Sequence, residues 1–185
     1  MKFLITLSLL ANFAFGADCQ LQIISNDVKV QWTAFKTPSK VGVGGSFQDL
    51  GLSKNSYTSK TFKGLLEGVE FAINPASVDT KDSQRDKKIV SSFFNKVGKI
   101  TGSIQKADQD SLVLNLKMNG VEKQVPMNVQ FSGKDFAATG VIDVLDFAMN
   151  SRLKAMNQAC FELHEGKTWN DVDLKLYAQV KKVCE

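Results

Sequence analysis

The chain has 185 residues, 43% of them hydrophobic and 23% charged, with a formal charge of +4 at pH 7. Those values exclude a disordered tract and suit one globular domain with a sizeable core. No cluster of Lys and Arg with interleaved aromatics could track a phosphate backbone, so nucleic acid is set aside as a partner.

Met1 to Gly16 combines a basic start at Lys2, an apolar run from Phe3 to Phe15 and small residues at Ala14 and Gly16. This is the pattern of a cleaved secretory signal, and the run is too short to span a bilayer comfortably. Residues 1–16 are therefore read as a signal peptide and residues 17–185 as one exported domain, periplasmic or secreted. Asp18 before Cys19 argues against a lipoprotein anchor. The three cysteines, Cys19, Cys160 and Cys184, leave one unpaired or paired between molecules, and spacing does not choose among the pairings. Cys19 with Cys160 is preferred because Cys184 lies beside a fraying end.

Apolar residues alternate over Leu21 to Ile24 and Val28 to Ala34, predicting strands separated by a turn at Asn26 and Asp27. Val41 to Leu50 resumes the alternation with Gly42, Gly44 and Gly45 embedded, as where a sheet bulges or coils. A loop over Ser53 to Lys60 leads to a further strand near Tyr57 to Lys63. Val69, Phe71 and Ile73 alternate until Pro75 ends the ladder. Lys96 to Lys106 and Ser111 to Met118 predict a hairpin pair. Asn119 and Gly120 then form the clearest turn, joining that strand to a returning one with Val125, Met127, Val129 and Phe131 on one face. Phe136 to Val144 is another strand. From Ser151 the period changes, and Leu153, Met156, Cys160 and Leu163 predict an amphipathic helix ending at Gly166. Val172 to Val180 is the last predicted strand. Seven or eight strands with one helix near the end point to an antiparallel sheet, closed into a barrel to remove its edges.

One stretch, Ser77 to Phe94, reads SVDTKDSQRDKKIVSSFF and resembles the signature of the YceI-like family of exported lipid-binding proteins. LNLKMNGVEKQVPMNVQF is similar to the family's second characteristic segment, and SNDVKVQWTAFK to its opening strand. The resemblance implies an all-β, lipocalin-like antiparallel barrel of about eight strands, with one or two short helices, enclosing an elongated apolar pocket. The implied ligands are long-chain amphiphiles such as polyisoprenoids, prenyl quinones or fatty amides, carried, stored or sequestered. No cofactor is implied beyond such a bound lipid. The chain departs from the family at Ser25, Ala34 and Lys88, where His is common, so no role of those histidines carries over. WTAFKTPSKVGVGGSF and LKAMNQACFELHEGKTWNDVDL resemble a divergent branch with a helix before the last strand.

In such a barrel each inward residue either fills the core or lines the pocket. The ligand-lining candidates are Val30, Trp32, Phe71, Ile73, Leu114, Leu116, Met118, Met127, Val129 and Phe131, with Phe93 and Phe94 as lid or plug. Met118 and Met127 suit an adaptable wall. Arg85 and Asp86 are read as a pair that orders a loop, or as a head-group anchor. Lys36 and Lys40 could meet an anionic head, although solvated lysines are the commoner case. Transient membrane contact and a homodimer are compatible with this reading.

For catalysis, His164 is the only histidine and Cys160 precedes it by four residues on the predicted helix, one face of which could hold thiol and imidazole together. A buried or disulfide-bonded cysteine on an apolar stripe is the preferred reading, so no catalytic residue is assigned. One His with Cys160 and Glu162 lacks the second ligand pair expected of zinc, and no metal is expected. Two alternatives to a lipid carrier are a solidly packed barrel serving interaction or structure, and an outer-membrane barrel with apolar residues facing outward.

Overall fold

The computed structural model describes residues 18–184; the expected signal peptide lies outside them. A ten-stranded antiparallel sheet forms the body, and it returns on itself. Its members are β2 (Lys29–Lys36), β3 (Val41–Phe47), β4 (Leu50–Leu52), β6 (Glu70–Ile73), β7 (Val78–Asp79), β8 (Ile100–Ala107), β9 (Ser111–Met118), β10 (Val121–Ser132), β11 (Asp135–Asp143) and β12 (Thr168–Gln179). The two ends of the sheet order are β4 and β7, yet β3 runs on into β4 and β6 into β7. Ser46 pairs with Asp79 and Leu50 with Ile73. Across the interruption the Gln48 amide donates to the Ser77 carbonyl at 3.0 Å and the Asn74 amide to Asp49 at 3.1 Å. Pro75 has no amide hydrogen for a ladder, and a 3-10 turn over Pro75–Ser77 absorbs the break. Merging these halves leaves eight staves, the number expected from the sequence.

A second, three-stranded sheet is formed by β1 (Cys19–Ile24), β5 (Ser56–Ser59) and β13 (Lys181–Cys184). The strand expected near Tyr57 to Lys63 divides here. Only its first part is extended; Thr61 then accepts from the Gly64 amide and caps a short helix, α1 (Phe62–Leu66). Leu65 and Leu66 are buried, and Phe62 meets Phe131 and Phe136 at ring separations of 4.7 and 5.6 Å. This cluster closes one end of the barrel.

The other end receives both remaining helices. Between β7 and β8 lies α2 (Ser83–Lys88), continued by a π turn over Ile89–Phe93 in which the Phe94 amide donates to Ile89. Between β11 and β12 lies α3 (Asn150–Ala159), shorter than expected because Cys160 departs from helical geometry and a 3-10 turn over Glu162–His164 follows. Ile89, Met156, Cys160 and Val78 form a small apolar cluster joining these insertions.

The expected turn at Asn119 and Gly120 has positive φ at both residues, 52° and 80°. The Asn119 amide group also donates to the Phe147 and Ala148 carbonyls at 3.1 and 3.3 Å. Asn119→Ala is expected to lower stability by about 1–2 kcal/mol in chemical denaturation, whereas Gly120, unhindered but left-handed, tolerates Asn better than Val.

Outward positions of β10 carry Glu122, Gln124, Asn128 and Gln130, all exposed, while Val125, Met127 and Val129 point inward and are buried. That is the reverse of an outward apolar band. No helix among the described residues is long and apolar enough to cross a membrane.

The disulfide joins Cys19 to Cys184, not to Cys160. The register of β1 and β13 sets the two cysteines directly opposite each other, with Cα atoms 4.0 Å apart. Cys160 is a buried free thiol at the end of α3. The strand that pairs Cys184 was hidden because Lys181 and Lys182 leave no alternation to read.

Candidate functional site

Inside the open half of the barrel lies a cavity of about 400 Å³, within the range of small-molecule and lipid pockets. Its position follows from strand direction. β9 runs from the closed end towards Met118, so Leu114, Leu116 and Met118 face the cavity while Leu112 packs near the closed end. From β2 come Val30, Trp32 and Ala34, from β6 Phe71 and Ile73, and from β12 Val172, Leu174 and Leu176.

Two glycines keep this space open. Trp32 stands opposite Gly45 in the β2–β3 register, and Phe71 stands opposite Gly102 across β6–β8. A Cβ at Gly45 would collide with Cζ2 of Trp32 and stand 2.7 Å from Cε2. One at Gly102 would collide with the Asn115 carbonyl oxygen and stand 2.6 Å from Cζ of Phe71. Each ring thus lies along the wall over a bare backbone rather than filling the lumen.

Phe93 and Phe94 also border the cavity. They pack edge to face at 5.1 Å, and Phe94 meets Phe47, which in turn meets Trp32. The π turn presents both neighbouring rings to this aromatic chain, a local widening of a kind often found at functional sites.

Three candidates lie elsewhere. Met127 and Val129 are buried in the packed half, and Phe131 is half exposed in the cluster that closes the other end. The inward alternation of β10 was correct, but the strand runs away from the cavity, and periodicity contains no depth coordinate. Arg85 and Asp86 do not pair with each other. Arg85 reaches Asp82 at 3.3 Å, and Asp86 accepts from the Thr80 amide and hydroxyl at 2.9 and 2.6 Å. Asp82 accepts from the Gln84 and Arg85 amides and so caps α2, and these contacts hold its carboxyl below the ordinary range. Arg85 borders the cavity. Lys40 is engaged by Asp171 at 2.6 Å, whereas Lys36 borders the cavity.

Cys160 and His164, weighed above as nucleophile and base, both border the cavity. One nitrogen of the imidazole is committed: Nδ1 lies 2.7 Å from the Thr168 hydroxyl. Burial, then the charges of Lys36 and Lys88, hold its pKa below the ordinary 6.5. Among the described residues no group of three or more His, Cys, Asp or Glu could hold a metal.

A family model described as "YceI-like domain" matches residues 15–180. A UPF0312 protein of Yersinia enterocolitica is 30% identical over 131 residues, covering 62% of this chain and 67% of the relative. Among solved structures, the fold is similar to a polyisoprenoid binding domain from Saccharophagus degradans implicated in plant cell wall breakdown, with a TM-score of 0.57 and 14% identity, covering 90% of this chain and 99% of that one. BcnA of Burkholderia cenocepacia gives a TM-score of 0.54 at 15% identity, with coverage of 86% and 99%. The YceI protein of Campylobacter jejuni gives 0.52 at 19%, covering 78% and 86%. With the match running through nearly every stave of the barrel and both insertions at its open end, the chain belongs to the YceI-like family.

Proposed function

We propose that the protein binds a long-chain amphiphile in the barrel interior without transforming it, acting as a carrier or store after export to the periplasm or beyond. The observation that carries this reading is the apolar cavity itself, held open by the pairing of Trp32 with Gly45 and Phe71 with Gly102. A polyisoprenoid, a prenyl quinone or a fatty amide would place its tail against Leu114, Leu116 and Leu176. Each methylene so buried contributes about 0.8 kcal/mol, against roughly 1 kcal/mol for one net hydrogen bond. The tail therefore dominates affinity even after ordering costs.

Affinity is expected to rise about fourfold per methylene until the cavity is full and then to level off. Displacement of a fluorescent apolar probe by straight-chain alcohols of increasing length measures this. Native mass spectrometry of protein from an exporting Gram-negative host is expected to show a co-purifying lipid. No lipid together with no length dependence would sink the reading and favour the packed structural barrel.

A further inference from the structure

The cavity mouth carries a polar group of residues that a tail does not explain. Lys36 at the end of β2, Lys88 at the end of α2 and His164 in the turn after α3 all border it. Neither lysine has an ion pair among the described residues. The nearby acids are engaged: Asp82, which also borders the cavity and feels the charge of Lys88, caps α2 and holds Arg85, Asp171 holds Lys40, and Glu162 and Glu165 are exposed on the histidine's own turn, with Lys167 beyond them. Of all these charges, Lys36 and Lys88 are the ones that act on the imidazole.

A directed hydrogen-bond chain fixes which ring nitrogen is available. The Asn157 Nδ2 group donates to the Gly166 carbonyl at 3.1 Å, which orients its amide. Oδ1 of Asn157 then accepts from the Thr168 hydroxyl at 3.0 Å. That hydroxyl has used its one proton, so at 2.7 Å it accepts from Nδ1–H of His164. Nε2 is left as the bare nitrogen of the neutral ring, without a partner among the described residues. Beside two cations it is the atom that gains a proton when an anion arrives.

We propose that Lys36, Lys88 and Nε2 of His164 form a subsite for the anionic head of a long-chain amphiphile, a sulfate, phosphate or carboxylate, and that one proton passes from solvent to Nε2 as the head binds. This rests on the reading of the cavity as a lipid site and adds its head-group chemistry. The anion accepts hydrogen bonds from both ammonium groups and from the newly protonated Nε2–H. It also offsets the repulsion from the two lysines which, after burial, holds the imidazole neutral. The sign follows: the complex holds one proton more than the free protein, so an anionic head binds more tightly as pH falls, and a neutral head does not.

The test compares tetradecyl sulfate, which stays ionised, with tetradecanol as competitors for the apolar probe N-phenyl-1-naphthylamine, at about pH 7.5 and about pH 5.5, either side of the ordinary imidazole pKa. The sulfate ester is expected to bind about tenfold tighter than the alcohol at the higher pH, and the ratio is expected to grow severalfold at the lower one. In Lys36→Met/Lys88→Met the ratio falls to about one at the higher pH, where His164 alone faces the head. In His164→Gln it becomes the same at both pH values. Lys182→Met, on the distant β13, keeps the wild-type ratio and its pH dependence. Inorganic sulfate is expected to leave the probe bound while eroding the ester's advantage. A wild-type ratio near one, a ratio indifferent to the lysine substitutions, or inorganic sulfate as effective as the ester would overturn the subsite while tetradecanol still displaces the probe. Failure of both amphiphiles to displace it would instead overturn the lipid reading itself.

Discussion

Gly45→Ala is expected to weaken binding of a long-chain alcohol about fiftyfold while leaving the protein folded. The new methyl group would occupy space now held by the six-membered ring of Trp32, and the backbone on that side cannot yield because Gly45 and Trp32 are ladder partners. Phe47 at 6.5 Å limits sideways movement. The indole therefore swings into the lumen, where it takes the place of about three methylenes of ligand at about 0.8 kcal/mol each. The fold itself loses about 1–3 kcal/mol through overpacking. A second substitution separates the two causes. Trp32→Leu alone enlarges the lumen, and Gly45→Ala/Trp32→Leu is expected to recover most of the lost affinity, giving a coupling between the positions that two independent defects would not show. Equal losses in the single and double variants, read by probe displacement, would disprove the argument that the ring lies on the wall because the glycine is bare.

How far the sequence revealed this site depends on which physical signal each residue left. Alternation placed Val30, Trp32, Leu114 and Leu116 correctly on the inner face because a strand's side chains can only take two directions. It could not separate Leu116 from Val129, which share that face but lie at opposite ends of the barrel. Depth depends on stave direction and on which end the helices close. The role of Gly45 was legible only as a glycine in a strand, since its meaning comes from the residue opposite on β2. Arg85 and Asp86, adjacent in sequence, invited pairing, yet neighbours on a helix point about 100° apart, and each found a partner on the preceding loop or cap. The polar mouth was only half visible. Lys36 and Lys88 are ordinary lysines until two insertions far apart in sequence bring α2 and the turn at His164 to the same rim, and the Asn157–Thr168–His164 chain has no spacing signature at all.

The disulfide was misread for a related reason, and its removal is the second large effect expected. Cys19→Ser/Cys184→Ser should lower stability by about 2–5 kcal/mol, and reductant should do the same to the native protein. The bond closes a loop with a sequence separation of 165 residues, so the chain-entropy model puts the loss near the top of that range, about 5 kcal/mol. Local structure moderates it. All four residues of β13 are exposed, and among the described residues that strand pairs only with β1, so without the bond β13 can detach while the barrel survives. Detachment in turn loosens β1 over Ile23 and Tyr57, which are buried beneath the closed end. The cavity lies at the opposite end, so the denaturation midpoint should fall while probe affinity at low denaturant stays within about twofold of wild type. Cys160→Ser provides the contrast. It places a hydroxyl among Ile89, Met156 and Val78, costs stability through desolvation without changing sensitivity to reductant, and alters probe binding because that residue borders the cavity. A reductant-insensitive native protein would mean that the two chain ends are held by their ladder alone.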